Sequence, residues 1–263
     1  MLFINTFTIL AKKILIMKKL ALVLLTLTLM VSCRKKNLVI INNSDKGLVA
    51  HYPLDGNGRD YTSNRNHGTI TAVLGSDRYG LPSKAYSFES HFFQSSKIPI
   101  NLSKEYTFSF WVKMNRYNDG MAIMELAKPM GDDTTYVPCN LNPQIWQYRD
   151  SMFLTTASNI NNQIYIMSLK NIKSYGTPTW SHVAWTVNNN VTTMYVNGDS
   201  ITTRLMPWPD VSLVSLTLGN AGNTCPGDMG VTNYHNQPSV CSIDEVRVYN
   251  RALSITEIRQ LSK

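Results

Sequence analysis

Charge is scarce in this chain. Only 16% of its 263 residues are Asp, Glu, Lys or Arg, against about a quarter in an average globular domain. Acids are the rarer sign, 17 against 25 basic residues, and the formal net charge is +8. Four of those positive charges (Lys12, Lys13, Lys18 and Lys19) precede Cys33 in a stretch with no acid, and Arg34, Lys35 and Lys36 follow it directly. The rest of the chain carries about +1, too little for the basic face that nucleic acid requires. No nucleic-acid partner is expected.

Other absences narrow the field. No helical hydrophobic period is sustained before the last ten residues, which excludes a bundle or a coiled coil. No E-x-D-x-x-E run sets two carboxylates on one strand face, as a glycosidase pair about 5–5.5 Å apart would need. The adjacent acids Asp132-Asp133 and Asp244-Glu245 point opposite ways on an extended strand. His51, His67, His91, His182 and His235 are scattered, with no H-E-x-x-H among them. His182, inside WSHVAW, reads as a structural strand residue. No catalytic residue is assigned.

One long apolar run is present. MKKLALVLLTLTLMVSC, Met17 to Cys33, has the basic start and apolar middle of an export signal and is short for a membrane span. Met30-Val31-Ser32-Cys33 resembles a bacterial lipobox. Residues 1–32 are therefore expected to be a signal sequence started at Met17. Cys33 is the expected lipidation site, and 33–46 a tether holding the domain to the lipid bilayer through an N-terminal acyl anchor. The expected location is the cell envelope, at the outer membrane. Both periplasmic and surface-facing orientations stay open. Of the other cysteines, Cys225 and Cys241 bracket a loop whose bridging would stabilise by roughly 3 kcal/mol in a chain-entropy account. Cys139 is then left over, and the two alternative pairings stay open.

Residues 47–263 read as one all-β domain. YTFSFWVKM (Tyr106–Met114) alternates, with Tyr106, Phe108, Phe110, Val112 and Met114 on one face and Thr107, Ser109, Trp111 and Lys113 on the other. WSHVAWTVN (Trp180–Asn188) alternates likewise. Asn197-Gly198 is a strong hairpin signal. Further strands are expected in LVAHYPL, KAYSFE, MAIMELA, QIYIMSL and LVSLTLG, while Asp119–Lys170 is otherwise loop-like. Ser254-Ile-Thr-Glu257 is a capping box, so a short helix is expected from Ile255 to about Leu261. In SIDEVRVY, Asp244 shares the parity of Val246 and Val248. It is therefore expected on their apolar face.

LVAHYPLDGNGRDYTSNRNHG, YTFSFWVKM, WSHVAWTV with TTMYVNG, and SIDEVRVYNRALSITEI occur in an order that resembles LamG-like, concanavalin A-like lectin/glucanase domains. The resemblance implies an antiparallel two-sheet jelly-roll sandwich with one short C-terminal helix, often a structural calcium, and frequently carbohydrate binding. The loop DGNGRDYTSNRNHG is rich in the oxygen ligands that calcium takes. With the resemblance, Asp60, Asn64, Asn66 and Asp244 are the candidate metal residues. The alternative at Asp244 is a salt bridge to an arginine or hydrogen bonds to backbone N–H groups.

Loop aromatics are the candidate ligand-binding residues, because Tyr and Trp offer an apolar face and a polar tip. Tyr136, Trp146 and Tyr148 form one group, with Asp132, Asp133, Asn140, Asn142 and Gln144 nearby. Trp208, between two prolines, is the other. The sequence thus points to an exported, lipid-anchored, non-catalytic domain that binds glycan or polysaccharide. An envelope adhesion module binding a protein partner is the second reading, and a glycoside hydrolase or lyase the third.

Overall fold

The computed structural model describes residues 45–89, 91–102, 104–115, 119–127, 144–148, 151–157, 164–169, 179–208, 210, 212–219, 237–238 and 240–263. Cys33, Tyr136, Cys139 and Cys225, with Asp132, Asp133, Asn140 and Asn142, lie outside them. Among the described residues the strands are β1 Leu48–Tyr52, β2 Gly68–Ile70, β3 Val73–Gly75, β4 Ala85–Glu89, β5 Phe93–Ser95, β6 Ile98–Asn101, β7 Glu105–Met114, β8 Asp119–Ala127 and β9 Gln144–Tyr148. They continue with β10 Ser151–Ala157, β11 Ile164–Leu169, β12 Ser181–Asn188, β13 Val191–Val196, β14 Asp199–Leu205, β15 Ser212–Leu218, β16 Gln237–Pro238 and β17 Val240–Tyr249. Among the described residues there is one helix, α1 Ile255–Leu261.

The strands form two sheets. The first runs β14-β13-β12-β7-β17-β4-β3, with β1 added beside β17. The second runs β11-β10-β9-β8-β15-β5-β2, with β16 on β8 and β6 on β15. Pairing is antiparallel apart from the two-residue β16, which lies parallel to β8. This is the all-β jelly-roll sandwich with a short C-terminal helix that the sequence implies.

The alternation in the sequence places the core. Phe108, Phe110 and Val112 of β7 and Val183, Trp185 and Val187 of β12 point inward. They meet Ile145, Leu154, Met167, Leu216 and Leu218 of the second sheet in one buried cluster. Phe108 stacks on Trp185, with ring centroids 4.6 Å apart. Fully burying side chains of this size contributes roughly 1.5–3 kcal/mol each, which is why the period-2 pattern fixes which side of each strand faces in.

Local signals behave as read. Asn197 and Gly198 both take positive φ, 51° and 86°, as a two-residue hairpin loop requires. Ser254 accepts from the Glu257 N–H while Glu257 reaches back to the Ser254 N–H, closing the capping box. Ile258 and Leu253 then pack on Ala184, Tyr195 and Tyr249. The helix thereby covers part of the outer face of the first sheet. The Asp119–Lys170 segment is richer in strand than expected, since β8 to β11 pair successively across it.

Candidate functional site

The last strand departs from simple alternation. Cys241, Ile243, Val246 and Val248 all lie in the core. An unbroken strand cannot send both Ile243 and Val246 inward. The pairing of β17 with β7 shifts between Asp244 and Arg247, and Glu245 sits there at φ 53°. The extra residue is a β-bulge that resets parity. Asp244 therefore does not share the valine face. It stands across from Trp111, on the outer side of the sheet.

Asp244 is nevertheless only 2% exposed. The segment between β3 and β4 folds over it. Arg78 Nη1 donates to Asp244 Oδ2 at 3.2 Å, and the guanidinium lies 4.8 Å from the Trp111 ring centroid and 4.4 Å from that of Tyr79. The arginine alternative is the one the structure adopts. Burial first, then the negative charge of Glu245, push Asp244 up to about 7 against the pull of Arg78. Glu245 goes the other way. Burial raises it, but the hydrogen bond from His51 and the charge of Arg247 outweigh that and hold it below the ordinary range. His182, beside Trp111 at a ring separation of 5.5 Å, is lowered to about 3 by burial and by the charges of Arg247 and Arg78. It is a neutral strand residue at any ordinary pH.

The first loop is built around a different carboxylate. Asp60 Oδ1 accepts from the backbone N–H groups of His51 and Thr62 at 3.0 and 2.9 Å. Its Oδ2 accepts from the Asn66 N–H at 2.8 Å and the Thr62 hydroxyl at 3.0 Å. The side-chain amides of Asn64 and Asn66 both donate to the Val49 carbonyl, at 2.9 and 3.3 Å. Gly58 and Gly68 close the base. Their backbones bond at 2.8 Å, and a Cβ at Gly68 would come within 2.3 Å of the Phe93 ring.

Asp60, Asn64 and Asn66 are thus brought together, while Asp244 is committed to Arg78. N–H hydrogens aimed at both Asp60 oxygens suit an anion that staples a loop and disfavour a cation at the same atoms. As arranged, the four residues do not fit one shared calcium. Among the described residues no group of three or more His, Cys, Asp or Glu could hold a metal ion.

The aromatic candidates separate. Trp208 is 5% exposed, donates its indole N–H to Thr192 Oγ1 at 2.8 Å, and meets Tyr106 edge-on at 5.8 Å. It packs in the core and has no face to offer a sugar. Trp146 and Tyr148 lie on strand β9 rather than in a loop. Trp146 is half-buried, on the side of β9 opposite the core residue Ile145. Its ring stacks on Phe153 of β10 at 4.5 Å and 20°. Gln144 lies two residues before it on the same face, across from Glu125 of β8 and Thr155 of β10. Cys241 is buried in the core.

Phe153, Glu125 and Arg78 were not legible as site residues. Glu125 sits on a strand whose partner β15 is remote in sequence, and Phe153 lies on a hairpin inside the segment that reads as loop-like. Arg78 lies in a Ser-Asp-Arg-Tyr-Gly turn that reads only as a turn.

Two outcomes follow. Between about pH 4 and 7 the folded chain holds a proton on Asp244 that the unfolded chain releases, so this group makes stability fall as pH rises through that window. Asp244→Asn is expected to reduce the difference in melting temperature between pH 5 and pH 8. An unchanged difference would remove the buried acid from the account. Chelation with EDTA is expected to leave the melting temperature of the wild type unaltered, because Asp60 is already held by four donors. A loss of several degrees, restored by calcium, would reinstate the ion.

Comparison with known proteins agrees with this architecture. No curated protein matches in sequence at a significant level. Among solved structures, the binding domain of botulinum neurotoxin DC, in complex with rat synaptotagmin II, superposes with a TM-score of 0.61 at 13% identity over 83% of this chain. The same domain in complex with SialylT gives 0.61 at 13%. This chain spans about half of those binding domains, 51% and 52%. Domain 4 of AbnA, a GH43 extracellular arabinanase from Geobacillus stearothermophilus, in complex with arabinotriose, gives 0.58 at 21%, over 82% of this chain and 98% of that domain. At these identities the likeness is one of fold. The sequence likeness is of another kind: residues 89–259, from the end of β4 into α1, match the family model itself, and the chain belongs to the concanavalin A-like lectin/glucanases superfamily.

Proposed function

We propose that the domain binds carbohydrate, without catalysis, through the outer face of the nine-stranded sheet. One observation carries the reading: a tryptophan and a phenylalanine from neighbouring strands, Trp146 and Phe153, stack outside the core, with the half-buried Gln144 on the same face of β9. Half-buried aromatic faces on a sheet exterior are a natural contact surface for a ligand. Aromatic rings cover the apolar side of a sugar while amides and hydroxyls meet its rim. The arabinanase domain in complex with arabinotriose and the neurotoxin domain in complex with SialylT support the ligand class. The neurotoxin domain in complex with synaptotagmin II supports a protein partner as the second reading.

The anchor belongs to the same proposal. Cys33, diacylated, would hold the domain at the envelope membrane on the tether 33–46. A Cys225–Cys241 bridge would be compatible with an exported protein.

Affinity electrophoresis in gels containing arabinan, β-glucan, xylan or mannan tests the binding. Wild type is expected to be retarded in at least one gel. Trp146→Ala or Phe153→Ala should weaken that retardation about tenfold, roughly 1.4 kcal/mol, at an unchanged melting temperature. Trp208→Ala should instead destabilise the fold, by about 3–5 kcal/mol. No retardation in any gel would turn the reading to protein adhesion. For the anchor, Cys33→Ser is expected to move the protein from membranes to the soluble fraction, and persistence in membranes would count against lipidation.

A further inference from the structure

The outer face of the other sheet carries an arrangement that packing does not explain. Glu245 holds a backbone conformation, φ 53°, that costs a non-glycine residue energy and survives only where the surroundings over-determine it. Its effect is specific. On an unbroken strand with Asp244 outward, Glu245 would face the core. The bulge instead brings its carboxylate to the outer side, where Arg247 Nη2 donates to Oε2 at 2.5 Å and His51 Nε2 lies 3.0 Å from the same oxygen. Each of the three keeps roughly a fifth of its side-chain surface exposed.

Two exposed tyrosines adjoin these groups, one at His51 and one at Arg78. Tyr61 is 62% exposed, with its ring 6.4 Å from that of His51. Tyr79 is 65% exposed, and Arg78 lies over its ring. Behind them, Trp111 Nε1 and Arg78 Nε are buried with no hydrogen-bond partner in the protein, and a buried unsatisfied donor is rare in a native fold. Each guanidinium faces a carboxyl group, Arg78 against Asp244 and Arg247 against Glu245. Fixed donors and acceptors, each charged group facing its counterpart, beside two exposed rings, match a ligand that both donates and accepts and carries an apolar face.

We propose that the surface between Tyr61 and Tyr79, over Glu245, His51 and Arg247, is a second carbohydrate-binding subsite that takes an uncharged sugar residue. It shares its ligand class with the Trp146 reading but none of its residues. Tyr61, Arg78 and Tyr79 also precede the residues matched by the family model, so this part of the site is not common to that match.

Isothermal titration of the full chain with neutral arabino-, xylo-, gluco- and manno-oligosaccharides, and with oligogalacturonate, tests it. Trp146→Ala is expected to keep a weaker, measurable affinity for at least one neutral oligosaccharide. Adding Tyr61→Ala and Tyr79→Ala to it should remove that remainder, at least about tenfold, without lowering the melting temperature. Tyr79→Phe, which keeps the ring, should retain it. Loss of all binding in Trp146→Ala alone overturns this subsite and leaves the Trp146 reading standing. So does a tyrosine double variant that binds like its parent. A residual site that takes only oligogalacturonate overturns the proposal of an uncharged ligand. A wild type that binds none of the sugars overturns both.

Discussion

Strand β17 buries both of its faces while pairing along both of its edges, and it can do so only by carrying one residue more than its partner. On one edge it runs along β7 from Cys241 to Tyr249. On the other it pairs with β4 through Ile243 and with β1 from Val246 onward. Glu245 falls where that partner changes. The bulge lets Ile243 and Val246 both enter the core. It also turns Asp244 and Glu245 toward the same outer side. Core packing and surface chemistry on this sheet therefore follow from one backbone conformation.

That outer side is layered. The deepest part, Asp244 against Trp111 and His182, is closed by Arg78. An acid there without a cation would be poorly tolerated, since an isolated buried charge costs far more than a paired one. Farther along the sheet, α1 covers Ala184 and Tyr249 through Leu253 and Ile258. Glu245 and Arg247, each about a fifth exposed, pair with one another on the same outer side. The opposite sheet is different, with the half-buried stacked pair Trp146 and Phe153 on its outer side. The same sandwich thus offers two chemically distinct faces, and membership of a superfamily says little about which one is used.

Asp60 and Asp244 show how two acids in one family-like pattern can take separate tasks. Asp60 receives four hydrogen bonds from its own loop and from His51 near the end of β1, and so ties Asp55–Gly68 to the sheet. Asp244 receives one charged partner from a turn far away in sequence. A single ion would need both acids at one point, and here each has its own hydrogen-bond partners. The backbone N–H groups reached Asp60 first.

Local rules carried much of the fold. The alternation of Tyr106 to Met114, the Asn197-Gly198 turn and the Ser254–Glu257 cap act over a few residues, so the sequence by itself determined an all-β sandwich, its main core faces and its closing helix. The presence of a candidate aromatic at Trp146 and an unusual acid at Asp244 was also legible there. What they do was decided by tertiary structure. Trp208 became a core residue because Thr192 and Tyr106 enclose it. Trp146 gained Phe153 only through the pairing of β9 with β10. Asp244 changed faces because one residue more than β7 can match must be absorbed between Asp244 and Arg247. Parity is a local count, but a bulge is set by the strands on either side, and those come from elsewhere in the chain.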